Sequence, residues 1–134
     1  GLFIRLSGFA ETVINGKVCG SGSYADLSGE YSDGDAITIE YKPELKVLSL
    51  NGKVAFTYGA ITLGTDEEKF AGDIERKINI DDKPVYKSIK PKKDELLRIE
   101  VELRGGGKIT LSDYQSCGKN WLNKKSRVTV WFNS

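Results

Sequence analysis

Short runs in which apolar and polar residues alternate constrain the fold of this chain more than any other feature. The clearest run is LLRIEVEL (residues 96–103), where aliphatic side chains fill every second position from Leu97 to Leu103 with charged ones between them. This period of two is typical of a strand with one buried face and one solvated face. Further runs of the same kind occur at residues 2–9, 36–41, 108–114 and 127–132.

Turn signals between these runs predict hairpins. Asn-Gly pairs stand at positions 15–16 and 51–52, and three consecutive glycines occupy positions 105–107. Asn-Gly favours the tight turn of a two-residue hairpin, because both central residues of that turn need a positive φ. The pattern predicts an all-β fold: residues 1–134 form a single domain, an antiparallel β-sandwich or partly closed barrel built from hairpins.

One segment has a helical pattern. In TDEEKFAGDIERKINI (residues 65–80), Thr65 and Glu68 have the spacing of a capping box, and Phe70, Ile74 and Ile78 recur every four residues. We therefore predict one short helix near residues 66–78.

The composition excludes several chemistries. The chain has no histidine, so Ser/His and Cys/His nucleophile systems and imidazole metal sites are absent. The carboxylates of DLSGEYSDGD (residues 26–35) are of the type that binds calcium, but their spacing matches no EF-hand loop and turn chemistry explains them equally well. We expect no catalytic residues, no metal and no cofactor, and hence a protein that is not an enzyme.

The two cysteines, Cys19 and Cys117, lie nearly at opposite ends of the chain. We predict that they form a disulfide; two reduced thiols are the alternative. The chain lacks methionine and begins in a strand pattern, which suits a mature secreted protein or an excised domain, so we expect an extracellular or otherwise extracytoplasmic location. No apolar run is long enough for a transmembrane segment, and a net charge of +1 does not favour nucleic acid.

The stretch from Arg104 to Ser134 carries six basic side chains and one acidic one, with aromatic residues interleaved. Aromatic faces beside cations suit sugar rings. Alternatively, Val128, Val130 and Phe132 face the core, and the stretch is only the last part of a β-domain. The predicted ligand-binding residues are Trp131, Trp121, Tyr114, Lys119, Lys124 and Arg127.

These features predict a non-catalytic extracytoplasmic binding module, lectin-like, that recognises carbohydrate. A small secreted toxin, effector or inhibitor acting by protein contact is the alternative, as is a structural domain of a larger surface protein. The partner is then a glycan or a protein surface, and the sequence leaves the oligomeric state open.

Overall fold

A computed structural model describes residues 1–20, 22–119 and 127–134. It confirms the predicted fold class: the described residues form antiparallel strands, one sheet is curled, and a single 3-10 turn is the only helical element among them. The chain divides into two compact units, Gly1–Glu44 (unit 1) and Leu45–Ser134 (unit 2). That residues 1–134 form a single domain stays a prediction.

Unit 1 contains two small antiparallel sheets. One is a two-stranded ribbon of β1 and β4, and the other has the order β3-β2-β5. Its buried apolar side chains are Leu6, Val13 and Ile14. The strands are β1 (Phe3–Arg5), β2 (Ala10–Ile14), β3 (Lys17–Gly20), β4 (Tyr24–Asp26) and β5 (Ile39–Pro43).

Unit 2 contains one eight-stranded sheet in the order β13-β7-β8-β11-β10-β9, with β6 added to β7 and β12 added to β8. A 3-10 turn, Tyr114–Ser116, follows β11. The strands are β6 (Leu45–Leu50), β7 (Lys53–Tyr58), β8 (Ile61–Asp66), β9 (Tyr86–Ile89), β10 (Arg98–Glu102), β11 (Lys108–Asp113), β12 (Val128–Thr129) and β13 (Phe132–Asn133).

The three predicted hairpins are confirmed. They are β2–β3, β6–β7 and β10–β11, and each turn falls where the sequence placed it. At the second hairpin, Asn51 has φ of 48° and Gly52 has φ of 73°, which is the pair of positive values that a type I′ turn requires.

The core of unit 2 lies on one face of its curled sheet. Alternate residues of neighbouring strands point to that face, so Phe56, Leu63, Val101 and Leu111 are all fully buried. Each such side chain contributes roughly 1.5–3 kcal/mol when it leaves water. The core also includes Phe70, Ile74 and Ile78, which come from the segment between β8 and β9.

The predicted helix near residues 66–78 is wrong. Asp66 ends β8, and its Oδ1 accepts hydrogen bonds from the backbone N–H groups of Glu68 and Lys69, which closes a turn instead of a helix. Gly72 then takes a φ of 98°, a value incompatible with helix, and the Asp73 side chain caps a further turn at Glu75. Phe70, Ile74 and Ile78, which are spaced four apart, are buried as they would be in a helix, but the backbone that carries them is irregular.

No helix among the described residues is both long enough and apolar enough to cross a membrane.

Candidate functional site

A cleft of about 480 Å³ opens beside Trp131 in unit 2. Trp131 stands between β12 and β13, and it is 41% exposed although Phe132 next to it is buried. Pairing of β12 with β8 and of β13 with β7 fixes the backbone on both sides of the tryptophan. The cleft, called the Trp131 cleft below, is lined by Lys53, Ile74, Glu75, Arg127, Val128, Thr129, Trp131 and Asn133.

Hydrogen bonds order the polar side of the Trp131 cleft. The Arg127 guanidinium donates from Nη1 to Glu75 Oε1 at 3.0 Å and from Nε to Glu67. Asn133 Nδ2 donates to the Glu75 carbonyl at 2.7 Å, and Thr129 Oγ1 donates to the Trp131 carbonyl at 2.7 Å. The cleft thus combines an indole with a positioned guanidinium, carboxylate and amide.

The structure brings together only part of the predicted ligand-binding set. Trp131 and Arg127 line the same cleft. Tyr114 and Lys119 do not line the Trp131 cleft. Tyr114 is exposed in the 3-10 turn, and Lys119 Nζ donates to the Asp94 carbonyl at 3.2 Å. Trp121 and Lys124 lie outside the described residues. Ligand binding by this set stays a prediction.

A second polar group, the Lys69 cluster, is buried near the ends of β8 and β11. Its centre is Lys69 Nζ, whose side chain is 9% exposed. Nζ lies 3.2 Å from Asp66 Oδ2 and 3.6 Å from Glu95 Oε1. It also donates to Ser112 Oγ at 3.0 Å and to the Ser116 carbonyl at 3.2 Å. The cluster consists of Asp66, Lys69, Glu95, Ser112, Ser116 and Cys117.

Two groups of this cluster, Asp66 and Cys117, have shifted pKa values. Burial alone would raise the pKa of Asp66, but hydrogen bonds from the Gly118 and Lys69 backbone N–H groups and the nearby Lys69 ammonium outweigh burial and lower the pKa. Burial raises the pKa of the Cys117 thiol, which keeps the thiol protonated. Ser112 is fully buried. The Lys69 cluster therefore ties segments of unit 2 together, and its Cys117 is a half-buried, protonated thiol.

The predicted disulfide is not formed in the structure. Cys19 and Cys117, both among the described residues, are free thiols. They belong to different units, and each sulfur has polar neighbours of its own. Cys117 Sγ lies 3.5 Å from Ser112 Oγ, and Cys19 Sγ lies 3.4 Å from the Lys17 carbonyl.

Acid is expected to destabilise unit 2 through Asp66. Because the pKa of Asp66 is lower in the folded protein than its ordinary value of 3.8, its contribution is complete above that value and is lost as the pH falls through the folded pKa. Urea unfolding from about pH 6 to about pH 2 should show this loss, and Asp66→Asn should show a shallower one. Equal acid dependence in both proteins would assign the effect to other groups.

Sequence reasoning missed the Lys69 cluster and most of the Trp131 cleft. Asp66 and Lys69 fall within the predicted helix. An Asp side chain can instead accept hydrogen bonds from the backbone N–H groups two and three residues later and close an Asx turn, as Asp66 does. Glu75, Lys53 and Asn133 come from three separate segments, and their proximity has no local signal in the sequence.

The chain matches no known protein-family model, and no curated protein sequence matches it. Solved structures do share its fold. A glycoside hydrolase superposes on 98% of this chain with a TM-score of 0.72 and 17% identity. The GH127 beta-L-arabinofuranosidase of Geobacillus stearothermophilus T6 superposes on 98% with a TM-score of 0.70 and 18% identity. A GH127 beta-arabinofuranosidase covers 92% with a TM-score of 0.65 and 17% identity.

The chain spans only 23% to 27% of the length of these structures. The comparisons correct the predicted function. The predicted function was a non-catalytic, lectin-like module that binds carbohydrate, with a small toxin, effector or inhibitor, or a structural domain of a larger surface protein, as alternatives; the extracytoplasmic location stays a prediction. The structures that share the fold are instead carbohydrate-active enzymes, and the chain resembles one portion of each.

Proposed function

We propose that this chain is a β-domain module of a carbohydrate-active enzyme of the glycoside hydrolase kind. The observation that carries the proposal is the superposition of 98% of the chain, with a TM-score of 0.72, on a glycoside hydrolase of which it covers 27%. Agreement over nearly the whole chain supports correspondence to one complete structural portion of such an enzyme. Since one fold serves many functions, the remaining support for the proposal has to come from the chemistry of the chain's own surface.

The buried carboxylates of unit 2 favour a supporting role in hydrolysis. Glycoside hydrolysis uses two carboxyl groups that both reach the scissile bond. Asp66 and Glu95 instead pair with Lys69. Asp113 Oδ1 accepts hydrogen bonds from the backbone N–H groups of Leu96 and Leu97. These carboxylates stabilise the fold, so we infer that another portion of the enzyme supplies the catalytic pair.

The Trp131 cleft is the surface through which such a module would contact the enzyme's saccharide. A pyranose or furanose ring presents C–H groups to an indole face, while its hydroxyls need donors and acceptors beside that face. Trp131, Glu75 and Arg127 supply both kinds of contact. The volume of about 480 Å³ lies within the range of small-ligand sites.

Saccharide titrations followed by ¹H–¹⁵N NMR test this proposal. Arabinose-containing oligosaccharides should shift amide signals of β12 and β13, and Trp131→Ala should weaken binding at least about tenfold because it removes the stacking face. Tyr41→Ala, which removes an exposed aromatic side chain of β5 in unit 1, is the matched control and should bind like the parent. Unchanged spectra with the whole saccharide series, or equal binding by Trp131→Ala and the parent, would contradict the proposal.

A further inference from the structure

The β1–β4 ribbon of unit 1 has one solvated face with two large aromatic side chains. Phe3 pairs with Asp26 and Arg5 pairs with Tyr24 in the antiparallel register, so these four side chains share one face. Phe3 is 59% exposed and Tyr24 is 67% exposed. The second pair between them, Ile4 and Ala25, points to the opposite face and is half-buried. The four residues Phe3, Arg5, Tyr24 and Asp26 are called the outer ribbon face below.

The charges and aromatics of the outer ribbon face occupy opposite diagonals. Phe3 and Tyr24 lie at the two ends of one diagonal, and Arg5 and Asp26 lie at the ends of the other. Within the described residues Arg5 forms no ion pair. Hydrogen bonds from Ser28 lower the pKa of Asp26 and keep it an anion. Each charge therefore still lacks an opposite partner.

This arrangement is complementary to itself. When a two-fold axis lies in the plane of an interface, a residue on one side of the axis in one copy faces the position on the other side of the axis in the second copy. When the axis runs along the Phe3–Tyr24 diagonal, Arg5 of each copy faces Asp26 of the other. The aromatic side chains then pack on their own counterparts, which removes apolar surface from water.

We propose that the outer ribbon face is a homodimer interface, in which a second copy of this chain packs its own outer ribbon face across a two-fold axis. One Arg5–Asp26 pair between the copies lies on each side of the axis, and along the axis Phe3 and Tyr24 each pack on their counterparts. An interface built around four residues a side belongs to the small and weak class, so the dissociation constant is expected at about 10–100 μM.

Sedimentation velocity of the whole chain over a concentration series tests the proposal through charge exchange. Arg5→Asp places a carboxylate opposite Asp26 and should weaken dimerisation at least about tenfold, because like charges in contact repel. Asp26→Arg should do the same for the opposite reason. The double variant Arg5→Asp/Asp26→Arg restores both pairs and should dimerise like the parent. Lys46→Asp, an exposed charge reversal on β6, is the control and should have no effect.

Circular dichroism of each variant separates loss of dimerisation from loss of folding. A folded single variant that is monomeric, together with a dimeric double variant, is the expected result. A parent that stays monomeric into the millimolar range would overturn the proposal. So would single variants that dimerise normally, or a folded double variant that stays monomeric. Since saccharide binding at the Trp131 cleft is measured separately, the two proposals can fail independently.

Discussion

Replacing Lys69 with alanine is expected to lower the free energy of unfolding by about 3–5 kcal/mol. Lys69 Nζ is buried between Asp66 Oδ2 at 3.2 Å and Glu95 Oε1 at 3.6 Å. Its removal leaves Asp66 buried with no opposite charge and leaves Glu95 with only Arg98 Nε, at 3.9 Å. An uncompensated buried charge is far more costly than the intact network. The Ser116 carbonyl also loses this donor, while Ser112 Oγ keeps the hydrogen bond from Ser116 Oγ.

Urea unfolding at neutral pH measures this loss as a lower midpoint with an unchanged slope. Lys108→Ala is the matched control. Lys108 also binds a carboxylate, Glu100 Oε1 at 2.9 Å, but its side chain is 49% exposed. Water replaces an exposed partner at little cost, so this variant should lose far less stability than Lys69→Ala. Equal losses in the two variants would show that burial does not govern the contribution of Lys69.

The strands were predictable because alternation reports a local geometric constraint. Successive side chains of a strand point to opposite faces, so Leu111 is buried while Thr110 next to it is only half-buried. The turn at Asn51-Gly52 was predictable because few residue pairs accept two positive φ values. Both signals are contained within a few consecutive residues.

The segment after β8 shows why the same approach predicted a helix wrongly. Phe70, Ile74 and Ile78 are all buried, so their spacing did indicate a common buried face. Spacing cannot distinguish a helix from successive turns that bury the same residues. Here the side chains of Asp66 and Asp73 hydrogen bond to the backbone and close turns, and Gly72 takes a positive φ between them. Side-chain bonds to the backbone outcompeted the helix.

One feature of the candidate site could be predicted from the sequence, and the others could not. Alternation with Phe132 predicted that Trp131 is exposed, and it is, although Trp131 lies in the bend between β12 and β13 and not in a strand. The partners of Trp131 could not be predicted, because Lys53 begins β7 and Glu75 belongs to the turns after β8. Only the sheet order, in which β13 pairs with β7, brings these segments together.

Replacing Phe132 with alanine is expected to lower the free energy of unfolding by about 3–5 kcal/mol, the cost of an aromatic residue removed from a packed core. Phe132 is 1% exposed. Its ring centroid lies 5.7 Å from that of Phe56 and 6.0 Å from that of Phe70, so the substitution leaves a cavity between the sheet and the segment after β8.

The same substitution should also weaken saccharide binding, which links the core to the proposed function. Phe132 anchors the short strand β13, and Trp131 directly precedes it, so a loosened β13 no longer fixes the indole at the cleft. Thermal unfolding and NMR titration of the same variant measure the two effects. Phe9→Ala, which removes a 59% exposed ring, is the matched control and should change stability by no more than about 0.5 kcal/mol. A destabilised but folded Phe132→Ala that binds saccharide like the parent would show that the cleft does not depend on this anchor.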